Sequence, residues 1–148
     1  MILPAIAKLI RDTQAITSLV DDRVFWDRIP EGNSYPAILL SEINSQPQDV
    51  LDGKPSCDES IIQVDCWIED SEEALQLIGK FAHEVRTLLE GYCGTVEEIG
   101  SNLDSVYIHG STLLRNEPRS TTPANGSSRY RRSRSMDFRI IHDNNVGS

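Results

Sequence analysis

The stretch Ser60–Glu90, SIIQVDCWIEDSEEALQLIGKFAHEVRTLLE, decides the fold, because its hydrophobic period changes once and cleanly. Up to Ile68 the chain alternates, with Ile62, Val64, Cys66 and Ile68 on one side, Gln63 and Asp65 on the other, and Trp67 beside Asp65. A period of two is that of a half-buried strand. From Ser71 onward Ala74, Ile78, Phe81, Ala82, Val85, Leu88 and Leu89 recur at spacings of three and four, the apolar stripe of a helix lying on a core. Asp70 and Glu73 have the spacing of a capping box and Gly91 offers a left-handed stop, so a helix is predicted over 71–90. Lys80, Glu84 and Glu90 fall on its wet side.

Upstream, Ala5, Ile6, Leu9 and Ile10 have helical spacing behind Pro4, and Ala15, Ile16, Leu19 and Val20 repeat it after Thr13. This is one helix, or two joined near Asp12. Val24–Ile29 reads as a short strand, 31–34 as a loop closed by Pro36, and Ala37–Asn44 as a longer strand. Downstream, Val96–Ile99, Asp104–Leu114 and Tyr130–His142 read as strands, the last with Met136, Phe138 and Ile140 on one side. Two aperiodic segments rich in proline and polar residues, 46–59 and 116–129, are expected to be mobile hairpin arms. The order predicts a single α+β domain over 1–148, a mostly antiparallel sheet with two helices packed on one face and long hairpin arms.

The 148 residues supply material for one core. A net charge of −9 argues against a surface built throughout to hold nucleic acid. The charge is unevenly spread: residues 1–114 carry 7 basic and 20 acidic side chains, whereas 115–148 carry 7 and 3. Such asymmetry suits surfaces that meet copies of the same molecule, or other acidic partners, in a preferred orientation. Cys57, Cys66 and Cys93 form no CxxC pair and no disulfide framework, which points to a reducing place of synthesis. Lys8 follows the first apolar residues and no 18-residue apolar run occurs, so neither a signal peptide nor a membrane span is expected.

Little in the chain carries catalytic chemistry. His83, His109 and His142 lack a partner at i+3 or i+4, so spacing offers no metal motif. Cys66 has no elbow or oxyanion loop beside it and reads as a buried small hydrophobe. No phosphate-binding glycine loop occurs, and no cofactor is expected. Glu69, Asp70, Glu72 and Glu73 crowd a helix start, where the macrodipole favours negative charge. The run Arg129-Tyr130-Arg131-Arg132-Ser133-Arg134 is basic, but as a strand it splits its arginines between two faces. Three readings are open from the residues alone: salt bridging to the acidic body of a neighbouring copy, a small α+β module that binds nucleic acid through the Arg-rich hairpin, and plain solvation. A small hydrolase has no assembled nucleophile and base to support it.

Three stretches, in order, resemble the tail-completion or tail-terminator family of long-tailed phages and prophages. They are VDDRVFWDR at 20–28, followed by a proline-containing strand; QVDCWIEDSEEALQLIGKFAHEVRTLL at 63–89; and the closing strand YRRSRSMDFRII at 130–141. The arm at 116–128 and the arginines beyond it depart from the family's usual pattern. The resemblance implies a non-enzymatic virion protein, made in the host bacterial cytoplasm. It implies a ring, a hexamer, that caps the head-proximal end of the tail tube, ends tube growth and presents the head-tail joining surface. Its partners would be itself, the tail tube protein and a head-tail connector protein, with DNA passing through the ring unbound. On that reading Arg115, Arg119, Arg129, Arg131, Arg132 and Arg134 are expected to face a neighbour's Glu69, Asp70, Glu72 or Glu73. The acidic arm bearing Asp49, Asp52, Asp58 and Glu59 is the expected lining of the lumen, where it would let DNA slide without sticking.

Overall fold

A computed structural model describes residues 2–26, 28–47, 57–99, 104–121 and 131–143. The elements run α1 (Leu3–Arg11), α2 (Gln14–Val20), β1 (Val24–Trp26), β2 (Ala37–Pro47), β3 (Cys57–Glu69), α3 (Ala74–Leu89), β4 (Gly94–Ile99), β5 (Asp104–Thr121) and β6 (Arg131–Asp143). The six strands form one sheet in the order β1-β2-β3-β6-β5-β4. Every pairing is antiparallel except β1 with β2. The α+β class with a mostly antiparallel sheet is therefore observed.

The alternation in β3 does what its period requires. Ile62, Val64, Cys66 and Ile68 face the helices, beside Met136, Phe138 and Ile140 of β6, and all seven are buried. Against them α3 lays Ala74, Ile78, Phe81, Ala82, Val85 and Leu89. Phe81 and Phe138 are the largest side chains sealed in this core.

The N-terminal segment is two helices joined at Asp12, and α2 packs on α1 and α3. The break falls at Asp12-Thr13, where the Thr13 hydroxyl donates to the Leu9 carbonyl (2.8 Å) and Thr13 takes extended backbone. α1 buries Ile2, Leu3, Ile6 and Ile10 and touches β1 and β2 as well as β4. β1 and β4 are opposite edges of the sheet, so the sheet must curl around α1 for one helix to reach both. The Arg11 guanidinium, donating to the Val24 carbonyl at 2.9 Å, ties the helix to the first edge.

Three boundaries differ from expectation. β1 ends at Trp26, short of Ile29. α3 begins at Ala74 and not at Ser71, and no side chain caps it. The capping box fails because the Asp70 carboxylate accepts a hydrogen bond from Arg132 Nε (2.7 Å) across the fold, and Glu72-Glu73 form a turn. At the other end Gly91 has φ +77°, the predicted left-handed stop, and its N–H donates to the Ser111 carbonyl at 2.7 Å. Finally, strand pairing enters both expected arms. Residues 46–47 belong to β2, 57–59 to β3 and 116–121 to β5, leaving 48–56 and 122–130 outside the described residues.

Candidate assembly surface

The sheet is longer than its edge strands. β5 pairs with β4 only as far as Ile108, whereas its pairing with β6 continues to Thr121. From Thr112 to Thr121 the outer side of β5 has no strand neighbour among the described residues. β2 shows the same imbalance: β1 covers Ile38–Leu40, and Ser41–Pro47 has no strand on that side among the described residues. Open strand edges present rows of backbone N–H and C=O groups that another chain can pair with. Each open segment carries a bulge, between Glu42 and Asn44 on β2 and between Leu113 and Arg115 on β5. The residues at those bulges, Ile43 and Leu114, are large hydrophobics about half exposed, at 53% and 48%. A bulge re-aims a side chain, and here it turns an apolar group outward at each edge.

The arginines lie near the β5 edge or on β6, beside it. Arg115 Nε is 3.1 Å from Asp137 Oδ2, and its Nη1 is 3.8 Å from Glu117. Arg132 pairs with Asp70 at 2.7 Å, both about one-third exposed. Arg134 Nε donates to Asn116 Oδ1 (2.8 Å), and the Arg131 guanidinium lies over the Tyr35 ring, 4.8 Å from its centroid. Thus Arg132 meets one of the expected acids, Asp70, within the same chain. Glu69, Glu72 and Glu73 are exposed beside it at the end of β3 and the turn before α3. Gly79, Ala82, His83 and Arg86 of α3 with Asn116 and Arg134 line an open cleft between helix and sheet. Of the other residues expected at the interface or lumen, Arg129, Asp49, Asp52 and the side chain of Arg119 lie outside the described residues. Asp58 and Glu59 stand on β3, where Glu59 Oε1 is 3.6 Å from Arg139 Nε.

Two sets of reactive groups come together only in the fold. Ser60 Oγ lies 2.8 Å from His142 Nε2, and His142 Nδ1 is 2.8 Å from the Asp143 carbonyl oxygen. A carbonyl only accepts, so Nδ1 carries a proton, and in the neutral ring Nε2 accepts from the Ser60 hydroxyl. Ser60 is fully buried and His142 nearly so, which leaves a substrate no approach to the pair; it is a satisfied core contact. Cys66 is likewise sealed, and burial pushes its thiol well above the usual range. On the solvent side, the thiol of Cys57, the ring of His109 and the carboxylate of Asp143 are grouped and could hold a metal ion.

The chain matches the model of the family described as tail completion protein gp17 over residues 4–122, most of its length. It belongs to that family. The expected resemblance to tail-completion proteins is thereby established, and the chain's role is structural, in the tail of a phage-type virion. Among solved structures it is similar to a chain of the virion of a native gene transfer agent particle, with TM-score 0.55 and 17% identity over 94% of each chain. At that identity the likeness is one of fold. No curated protein sequence matches. No helix among the described residues of this family member is long and apolar enough to cross a membrane.

Proposed function

We propose that this tail-completion protein closes into a ring, a hexamer, on the head-proximal end of the tail tube, ends tube polymerisation there and offers the surface that joins the head connector. The pair of open edges on β2 and β5 is the observation that carries the reading. They lie on different strands of one curled sheet, so pairing β2 of one copy with β5 of the next makes a head-to-tail contact, the type that builds a ring when the rotation between copies closes. Ile43 and Leu114 leave water in that contact. Arg131 and Arg132 then meet a neighbour's Glu72 and Glu73, and of the acidic lumen candidates Asp58 and Glu59 alternate on β3, so one of those two faces the DNA path. The engagement of Arg115, Arg132 and Arg134 within the chain counts against a groove for nucleic acid.

Negative-stain electron microscopy of a lysate of the encoding phage, with this gene deleted, tests the role. Filled heads beside unattached tails of irregular or excessive length are expected; intact joined virions would overturn it. The ring contact is tested by complementing the deletion with a double Ile43→Asp, Leu114→Asp variant. That variant should still fold, with a melting temperature lowered only modestly because both side chains are about half exposed, yet fail to restore joined virions. Charge reversal at Arg131 and Arg132 tests the ionic part, and normal assembly with both reversed would remove it. Replacing the four arm carboxylates by Ser should leave rings intact and slow DNA passage.

A further inference from the structure

Cys57, His109 and Asp143 each offer one ligand atom within 4.8 Å of the other two, although 86 residues separate the first from the last. Register brings them together. Cys57 opens β3 directly opposite Asp143, the last residue of β6. β5 pairs Ile108 with His142 and Gly110 with Ile141, so His109 is the extra residue of a bulge. The bulge turns its ring to the solvent face of the sheet, where Asp143 Oδ1 is 2.9 Å from Nε2. Tyr107 stands edge-on to that ring, centroids 4.7 Å apart, and its hydroxyl lies 3.3 Å from Cys93 Sγ. The imidazole is thus held by packing on one side and by a carboxylate on the other.

We infer that Cys57, His109 and Asp143 form a binding site for a divalent transition metal ion of the zinc type. The site is independent of the ring reading. Thiolate, imidazole and carboxylate are the three protein ligands zinc takes, and three of them leave a fourth tetrahedral position open to water or a partner group. Tetrahedral zinc with bonds of about 2.0–2.3 Å holds its ligand atoms roughly 3.5 Å apart. On metal binding the widest separation closes by about 1 Å while the hydrogen-bonded His109–Asp143 pair, at 2.9 Å, opens by about half an ångström, both within the reach of side-chain rotation. The hard cations calcium and magnesium prefer oxygen-only sets, which a thiol and an imidazole do not supply. Half-buried Cys57 and Asp143 and exposed His109 give the ion a path from solvent. Bound there, it joins the start of β3, the bulge of β5 and the end of β6.

The test titrates the full chain, free of any affinity tag, with zinc chloride by calorimetry and with cobalt(II) by absorption. One ion per chain at micromolar or tighter affinity is expected, with a thiolate-to-cobalt charge-transfer band and a raised unfolding midpoint. Cys57→Ser should abolish the band, and His109→Ala and Asp143→Asn should each weaken zinc at least tenfold. Cys93→Ser should leave both readouts unchanged. Circular dichroism of each variant establishes that it is folded, with Cys57→Ala as the second variant at that position. Absence of saturable binding, a band that survives Cys57→Ser, or one lost with Cys93→Ser would each overturn the site.

Discussion

On the helix side of β3 and β6, Ile62, Val64, Cys66, Met136, Phe138 and Ile140 are sealed from water under α3. On the other side of the same two strands Asp65, Ser133, Ser135 and Asp137 are nearly as inaccessible, Ser135 at 1% and Asp137 at 9%, yet they are polar. The first face is held by apolar transfer and close packing, for which any well-shaped hydrocarbon serves. The second is held by partners. The Ser135 hydroxyl donates to Asp65 Oδ1, Gln63 Nε2 donates to both Asp65 oxygens at 3.0 and 3.1 Å, and Arg115 lies beside Asp137. Its satisfaction is incomplete, because Trp67 Nε1 and Ser133 Oγ are buried without a hydrogen-bond partner among the described residues. An unmet buried polar group costs free energy, so this face is the weaker half of the sheet and the better candidate to change on assembly.

A thiol reagent probes the sealed face most directly. Cys93 is exposed and Cys66 fully buried, its thiol held neutral by burial, so Cys66 should react at least about a thousandfold more slowly than Cys93 unless the chain unfolds. Comparable rates would show that the helix-side core opens. The same burial makes stability fall as pH rises through and above the ordinary thiol range, because only the unfolded chain readily releases that proton; Cys66→Ala should flatten this slope.

Next in size, Phe138→Ala should cost about 3–5 kcal/mol in urea unfolding, the lost transfer energy plus the cavity left between sheet and α3. Asp65→Ala on the polar face should cost less, about 1–3 kcal/mol, by stranding the Ser135 hydroxyl and the Gln63 amide. If Asp65→Ala proves the more damaging, the ranking of the two faces is reversed. The smallest effect belongs to the Arg132–Asp70 pair, one-third exposed on both sides. A double-mutant cycle there should return about 0.2–1 kcal/mol of coupling, reduced by salt. A larger value would mean that the pair holds the start of α3 in place.

Much of this molecule is legible in its residues. The period change at Ser60–Glu90 located β3 and α3, and Gly91 located the stop, because apolar spacing reports a local geometry that each element carries with it. The Asp70–Glu73 capping box was misleading for a physical reason: the Asp70 carboxylate had a second donor, Arg132, that is 62 residues away in sequence. The extension of strand pairing to Pro47, Cys57 and Thr121 was hidden too, since these proline-rich and polar stretches have no period of their own and are strand only because a partner is in register.

By itself the sequence determined one apolar face per element, hence an α+β domain with helices on one side of a sheet, and the loose motifs of the tail-completion family. Tertiary structure alone decided which strands neighbour one another, and therefore where, among the described residues, the sheet runs out of partners at Ser41–Pro47 and Thr112–Thr121. It alone decided that an arginine expected to look outward pairs with its own Asp70, and that Cys57, His109 and Asp143 meet. Hydrophobic period is a property of neighbours along the chain, whereas register, edges and ligand sets are properties of neighbours across it.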